Sequence, residues 1–430
     1  MNTRRVSLAL ILMIGASLGF QPSSAASSPT LERVVIVQRH GVRAPTKDPE
    51  SLSRYSAERW PDWPVAVAEL TPHGADNVRF MGAWLRAHYA GEGLWSAQGC
   101  PAPDWIAAWA DGADQRTRIS GQTTLDGAFP GCNLVAHHAP EDAKDSFFDA
   151  IETGACPIDP EAARKAVLAA AGGDLNARDA ALETANALLY DILSPAPSRH
   201  ACADDKGTCF LNGKNTLQAD AEGLKLSGPL ATASTMVENL LLEYGQGMPL
   251  SQTGWGRADA AALAKIGILH NRAADLMRRT HYIAAHNGVR MAQAVIAALQ
   301  GRPAFPGSKG GEKFLVIAGH DTNLSNLAGI LGVDWTLSEQ PDKTPPGGTL
   351  AFELWRDGSG AKFVRVRLFY ETLEQLREGE ALDESHPGRQ IDIALPGCAH
   401  GPGGKCSLPD FVRSVETALP NECLKSAPKP

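Results

Sequence analysis

Two apolar runs that each end abruptly in a polar cluster constrain this chain more than any other feature. The first, Val34-Val35-Ile36-Val37-Gln38, leads into Arg39-His40-Gly41-Val42-Arg43-Ala44-Pro45. The second, Phe314-Leu315-Val316-Ile317-Ala318, leads into Gly319-His320-Asp321-Thr322-Asn323. Short β-branched runs without polar alternation read as strands buried on both faces, in a parallel or mixed sheet. In open α/β sheets ligands sit beyond the carboxyl ends of strands. The sequence therefore predicts an α/β fold, with a mixed central sheet flanked by helices, and a site where the two runs end.

The remaining pattern fills in around these runs. Thr71 caps a helix over 71–86, with Pro72 in its first turn and Val78, Met81 and Leu85 at helical spacing. A strand is predicted over 106–110, followed by a charge-rich loop over 111–118. Residues 160–171, 177–193, 227–244 and 258–279 read as helices, with little strand signal among them. This middle stretch looks like an α-helical region inserted into an α/β body. The expected division is an α/β domain from 27–156 and 282–430, and a helical domain over 157–281 that covers the site. A flexible Gly-rich loop (307–311), a helix over 324–331 and alternating strands over 351–355 and 363–370 complete the reading.

The N-terminus carries Arg4 and Arg5, an apolar stretch over 6–20, and small residues over 23–26. That is the layout of a signal peptide over 1–26, too short to be a comfortable membrane span. Eight cysteines follow, with no CxxC pair among them. An even count in an exported chain favours disulfides over a zinc site, and spacing alone leaves the pairing open. The expected location is periplasmic or secreted, and the expected state is a monomer with no membrane attachment once the signal is removed. With a formal net charge of −8, the chain lacks the basic surface that nucleic acid requires.

An acidic protein that handles phosphate must concentrate positive charge locally, and the first strand end does so. Arg39, His40 and Arg43 fall within five residues of one another. Arginine holds phosphate oxygens with paired planar donors. A neutral imidazole can attack phosphorus, and a carboxylic acid can protonate the leaving alkoxide. Arg39, His40, Arg43, His320 and Asp321 supply all three functions. No metal or other cofactor is needed if guanidinium and imidazolium groups neutralise the phosphate. Of the other clustered histidines, His137 and His138 point to opposite faces if borne on a strand, and His281 with His286 lacks an interleaved carboxylate.

RHGVRAPTK and AGHDTNLSNLAGIL resemble the motifs of the histidine acid phosphatases. LTPHG, ADGADQRTR, GMPL with GWGR, and WTLSEQPDKTPPGG are similar to the bacterial periplasmic phytase/acid phosphatase subgroup, so the resemblance covers essentially the whole mature chain. It implies a phosphoglycerate-mutase-like α/β domain and a phosphohistidine intermediate. By this resemblance His40 is the nucleophile and Asp321 the proton donor. Arg39, Arg43, Arg116 and His320 bind phosphate, with Arg118 the alternative to Arg116. It also implies four disulfides: Cys100–Cys132, Cys156–Cys423, Cys202–Cys209 and Cys398–Cys406.

The choice of ester rests on fewer residues. Phytases of the subgroup carry Gly and Val in RHGVRAP and Thr after HD, whereas glucose-1-phosphatases typically show RHNLRAP and HDS. Gly41, Val42 and Thr322 side with the phytases. Lys47 and Thr46 are expected to meet outer phosphates, and Glu238 and Thr322 to line the substrate site. The expected substrates are phytate and other small phosphate monoesters. A glucose-1-phosphatase or broad sugar-phosphate phosphatase is the alternative. A phosphomutase of the same superfamily would keep the phosphoryl group on a metabolite, which fits export poorly.

Overall fold

The computed structural model describes residues 28–56, 58–193, 213–220, 223–398 and 405–424. The proposed signal peptide, together with Cys202 and Cys209, lies outside the described residues. Ten strands are present among those described. They are β1 (Thr30–Arg39), β2 (Ile106–Ala110), β3 (His137–His138), β4 (Thr216–Asp220), β5 (Gly223–Ser227), β6 (Phe314–Gly319), β7 (Thr349–Arg356), β8 (Lys362–Tyr370), β9 (Arg389–Ile393) and β10 (Cys406–Ser407). All but β4 and β5 form one mixed sheet in the order β10-β8-β7-β1-β6-β2-β3, with β9 also on β8. β1, β6, β2 and β3 run parallel, while β7 to β10 are antiparallel.

The two apolar runs are the central strands. Their side chains alternate between faces as a strand's pleat requires. Val35, Val37, Leu315 and Ile317 enter one core, and Val34, Ile36, Phe314 and Val316 enter the other. Each is almost wholly buried, a gain of about 1.5–3 kcal/mol per large aliphatic side chain. Both faces are covered by helices, which is why neither run shows polar alternation.

The helical part has cores of its own. One joins Leu189, Met236, Leu240, Leu263 and Leu269 from three helices, Ala180–Leu193, Pro229–Gly245 and Ala260–Ala274. A second joins Val167 of Pro160–Ala170 to Leu230, Leu276 and Ile283. Three expectations need correction here. β4 and β5 form a hairpin in a stretch read as helical, because Thr-Leu-Gln-Ala-Asp alternates too weakly to stand out. The long helix expected over 258–279 ends at Ala274 and continues as a π-helical turn, Asp275–Arg279. The supposed loop over 111–118 turns into helix at Gln115, so Arg116 and Arg118 lie in the first turn of Gln115–Ala128.

Three disulfides join described residues: Cys100–Cys132, Cys156–Cys423 and Cys398–Cys406. They match the pairing the resemblance implied. Cys156–Cys423 bridges 267 residues and ties the start of the helical region to the last described helix. No helix among the described residues is long and apolar enough to cross a membrane.

Candidate active site

Parallel pairing of β1 with β6 sets Arg39 beside Gly319. The next residues on each strand, His40 and His320, therefore emerge side by side, with ring centroids 5.7 Å apart. The His40 amide donates to the Gly319 carbonyl at 2.9 Å, and the Gly347 amide donates to the His40 carbonyl at 3.1 Å. The backbone of His40 is thus pinned from two strands and a turn. Gly41 follows because nothing larger fits: a Cβ there would lie 2.4 Å from the Gly74 carbonyl oxygen. Gly74 is likewise pressed against Val42, so the segment LTPHG packs directly on the RHG loop.

His40 is 2% exposed. Its Nδ1 lies 2.8 Å from the Gly41 carbonyl oxygen. A carbonyl can only accept, so Nδ1 carries the proton and Nε2 keeps its lone pair. Burial, then the charges of Arg39, Arg116, Arg43 and His320, hold the imidazole well below the usual histidine range. Neutral His40 is the form an attack on phosphorus needs.

The guanidiniums around it are anchored by carboxylates. Arg39 Nη1 donates to Asp342 Oδ2 at 2.7 Å and to the Thr344 carbonyl at 2.5 Å. Glu238 Oε1 accepts from Arg39 Nη2 at 3.1 Å and from Arg43 Nη2 at 2.8 Å. Arg116 makes a two-pronged pair with Asp114, both contacts at 2.7 Å. Arg118 instead turns to the Gly112 carbonyl and Glu141. The structure therefore brings Arg116, not Arg118, toward His40. The Nε groups of Arg39, Arg43 and Arg116 are buried with no hydrogen-bond partner among the described residues. Such donors suit an anion.

His320 Nε2 lies 2.8 Å from Asp111 Oδ2, which fixes the ring. Asp111, Asp114 and His320 also place ligand-type atoms within 4.8 Å of one another. Asp114, however, is engaged by Arg116, and the surrounding guanidiniums disfavour a cation there. Asp321 opens the helix Asp321–Leu331, three residues earlier than the periodicity suggested. Its Oδ1 accepts from the Thr322 amide at 2.8 Å. Its Oδ2 contacts Arg278 and lies 3.9 Å from Arg39 Nη2. Burial pushes the carboxyl up, but Arg278 and Arg39 outweigh it and hold Asp321 well below the usual carboxylate range.

Thr46 and Lys47 do not join this buried cluster; both are exposed on the loop leaving Pro45. Thr322 reaches it through its amide. Four further residues contribute to the cluster beyond those expected from sequence: Arg278, Asp342, Asp111 and Asp114. The last three lie inside the segments ADGADQRTR and WTLSEQPDKTPPGG, where the signal was available. Arg278 carries no local signal, since its partner is 43 residues away.

The arrangement can grip an anion and present one nucleophilic nitrogen to it, which defines a phosphoryl-transfer site. The histidine phosphatase superfamily (branch 2) profile matches residues 30–370, and the chain belongs to that superfamily. It is 35% identical to the phytase AppA of Escherichia coli (strain K12), over 94% of this chain and 96% of that protein. It is 28% identical to a glucose-1-phosphatase of Salmonella typhimurium, over 96% of this chain and 99% of that protein. The Hafnia alvei phytase in its apo form superposes with a TM-score of 0.87 at 36% identity, covering 93% of this chain and 99% of that one.

Proposed function

We propose that this protein is a phytase: an acid phosphomonoesterase that hydrolyses phytate and simpler phosphate monoesters through a phosphohistidine at His40. The observation that carries the reading is the Nδ1 contact of His40 with the Gly41 carbonyl at 2.8 Å, which leaves Nε2 as the nucleophile inside the guanidinium ring. Arg39, Arg43, Arg116 and His320 bind the phosphate oxygens. Nε2 attacks phosphorus as the ester oxygen leaves, and Asp321 gives that oxygen its proton. Water then cleaves the phosphorus–nitrogen bond, with Asp321 taking a proton from it. Glu238 shares one carboxylate oxygen between Arg39 and Arg43 and so sets the spacing of two clamp residues.

Substrate choice is supported by Gly41, Val42 and Thr322, and by the 35% identity to a phytase against 28% to a glucose-1-phosphatase. The Hafnia alvei enzyme is also known in complex with myo-inositol hexakis sulphate, an analogue bearing six anionic groups on one ring. Exposed Thr46 and Lys47 sit on the loop where outer phosphates of such a ring can be met. The helical domain over 157–281 covers the site, supported by Glu238 and Arg278, which reach the catalytic cluster from it. A signal peptide over 1–26 and the disulfides support a periplasmic or secreted monomer.

The deciding experiment is a substrate panel with purified protein. Phosphate release from phytate, with a kcat/KM above that for glucose 1-phosphate, is the expected result. Cleavage of p-nitrophenyl phosphate with phytate left intact would overturn the phytase reading. For Asp321→Asn, kcat on phytate and on glycerol 2-phosphate should drop on the order of 10²–10⁴-fold. The drop on p-nitrophenyl phosphate should be far smaller, because that leaving group needs little protonation. Equal losses on all three would remove Asp321 from the acid role.

A further inference from the structure

The direct ion pair between Arg278 and Asp321 poses a problem for the reading above, on which this inference rests. An acid held against a guanidinium is protonated in only a small fraction of the molecules and so has little proton to deliver. We propose that Arg278 is the counterion of Asp321 in the free enzyme and shifts to a second phosphate when a multiply phosphorylated ester binds. Asp321 is then free to take up the solvent proton that it passes to the leaving oxygen.

The backbone around Arg278 is built to aim it. A π-helical turn holds one residue more than an α-turn and redirects the side chains that follow. Here Asp275–Arg279 makes that turn. Arg279 faces away, pairing with Asp275 at 3.3 Å and with Asp334. Lys343 ties to the same two carboxylates, each at 2.9 Å. Arg278 is left on the site side. Asn326 Nδ2 donates to its carbonyl at 2.8 Å, and Asn326 belongs to the helix that Asp321 begins. Donor and acceptor therefore stand on backbones fixed to one another.

The charged and titratable groups facing Asp321 are Arg278 from the π-turn, Arg39 from β1, His40 from the following loop, His270 from the helix Ala260–Ala274, Glu238 from Pro229–Gly245 and Arg116 from Gln115–Ala128. Two of these are cations close to the carboxylate, and they differ in freedom. Arg39 is 1% exposed and held by Asp342, the Thr344 carbonyl and Glu238. The Arg278 side chain is 31% exposed, and among the described residues its one ion pair is with Asp321. Arg278 is thus the counterion that can leave. Its destination must be an anion at the mouth of the site, and a phosphate neighbouring the scissile one on a polyol ring fits that place and charge. A substrate with a single phosphate offers no such destination, so the pair persists and restrains the acid.

The test uses the whole enzyme with Arg278→Gln and Arg278→Lys, after equal thermal midpoints confirm that both variants fold. In Arg278→Gln, KM for phytate should rise about tenfold, the scale of one charge-assisted contact. KM for glycerol 2-phosphate should stay within about twofold. With glycerol 2-phosphate, the basic limb of kcat/KM should move up by about one pH unit, as Asp321 loses a cation that favoured its charge. Arg278→Lys should restore the wild-type limb. Equal KM changes on both esters with an unmoved limb would make Arg278 a structural prop and overturn the proposal. A moved limb with phytate KM unchanged would overturn the transfer to a second phosphate. If wild-type enzyme leaves phytate intact, the phytase reading fails, while the glycerol 2-phosphate limb still decides whether Arg278 restrains Asp321.

Discussion

His40→Ala protein should lose phosphate release from every ester by on the order of 10⁴-fold or more, while still binding inorganic phosphate. The loss follows from chemistry rather than from collapse of the site. Arg39 keeps Asp342 and Glu238, Arg43 keeps Glu238, and Arg116 keeps Asp114, whatever stands at position 40. The guanidinium cluster therefore survives the loss of His40. Rapid quenching of the wild-type enzyme during turnover of ³²P-labelled substrate should give labelled protein whose label survives alkali and is lost in acid, as a phosphorus–nitrogen bond behaves. The same quench on His40→Ala should give none. Label of equal amount on the variant would place the covalent step elsewhere.

The second large effect concerns stability. Glu371 is 1% exposed, and neither carboxylate oxygen has a hydrogen-bond partner among the described residues. Glu243 is wholly buried, with only Oε2 accepting a bond, from the Gly254 amide at 3.0 Å. Burial pushes both carboxyls up to about 8. In the unfolded chain each returns to the ordinary range of about 4.5. Between these values the folded state binds more protons than the unfolded one, so stability falls as pH rises. The cost by pH 8 is on the order of 3–5 kcal/mol per group. Glu371→Gln with Glu243→Gln removes both ionisations. Urea midpoints measured at pH 4.5 and pH 8 should then differ much less in the double variant than in the wild type. An equal fall in both proteins would show that these two side chains do not titrate as buried acids. An enzyme working in acid keeps both groups protonated.

The readable parts of this fold were those whose chemistry is local. β1 and β6 announce themselves because strands buried on both faces cannot afford polar positions, and their ends carry His40, Arg43, His320 and Asp321 in plain sequence. The helix Gln115–Ala128 was hidden because its buried face runs through Thr117, Ser120, Gly121, Thr123 and Thr124 and turns apolar only at Leu125 and Ala128. Small polar residues satisfied by neighbours, such as Thr124 bonding the Ser120 carbonyl at 2.9 Å, leave no apolar period to detect. Arg278 was invisible for a different reason. Its meaning depends on an irregular turn and on a partner in another element, and neither is written in its neighbours. Glu371 and Glu243 were likewise unremarkable glutamates until burial gave them their properties.

The register of β1 against β6 has one more consequence. The two halves of the site, His40 and Asp321, follow strands that meet only when Arg39 comes to rest opposite Gly319. Before that meeting the chain has a histidine and an aspartate but no enzyme. A chain that has not yet folded is therefore silent toward every phosphate ester it meets. Activity begins at the moment of assembly, and only where the chain completes its fold.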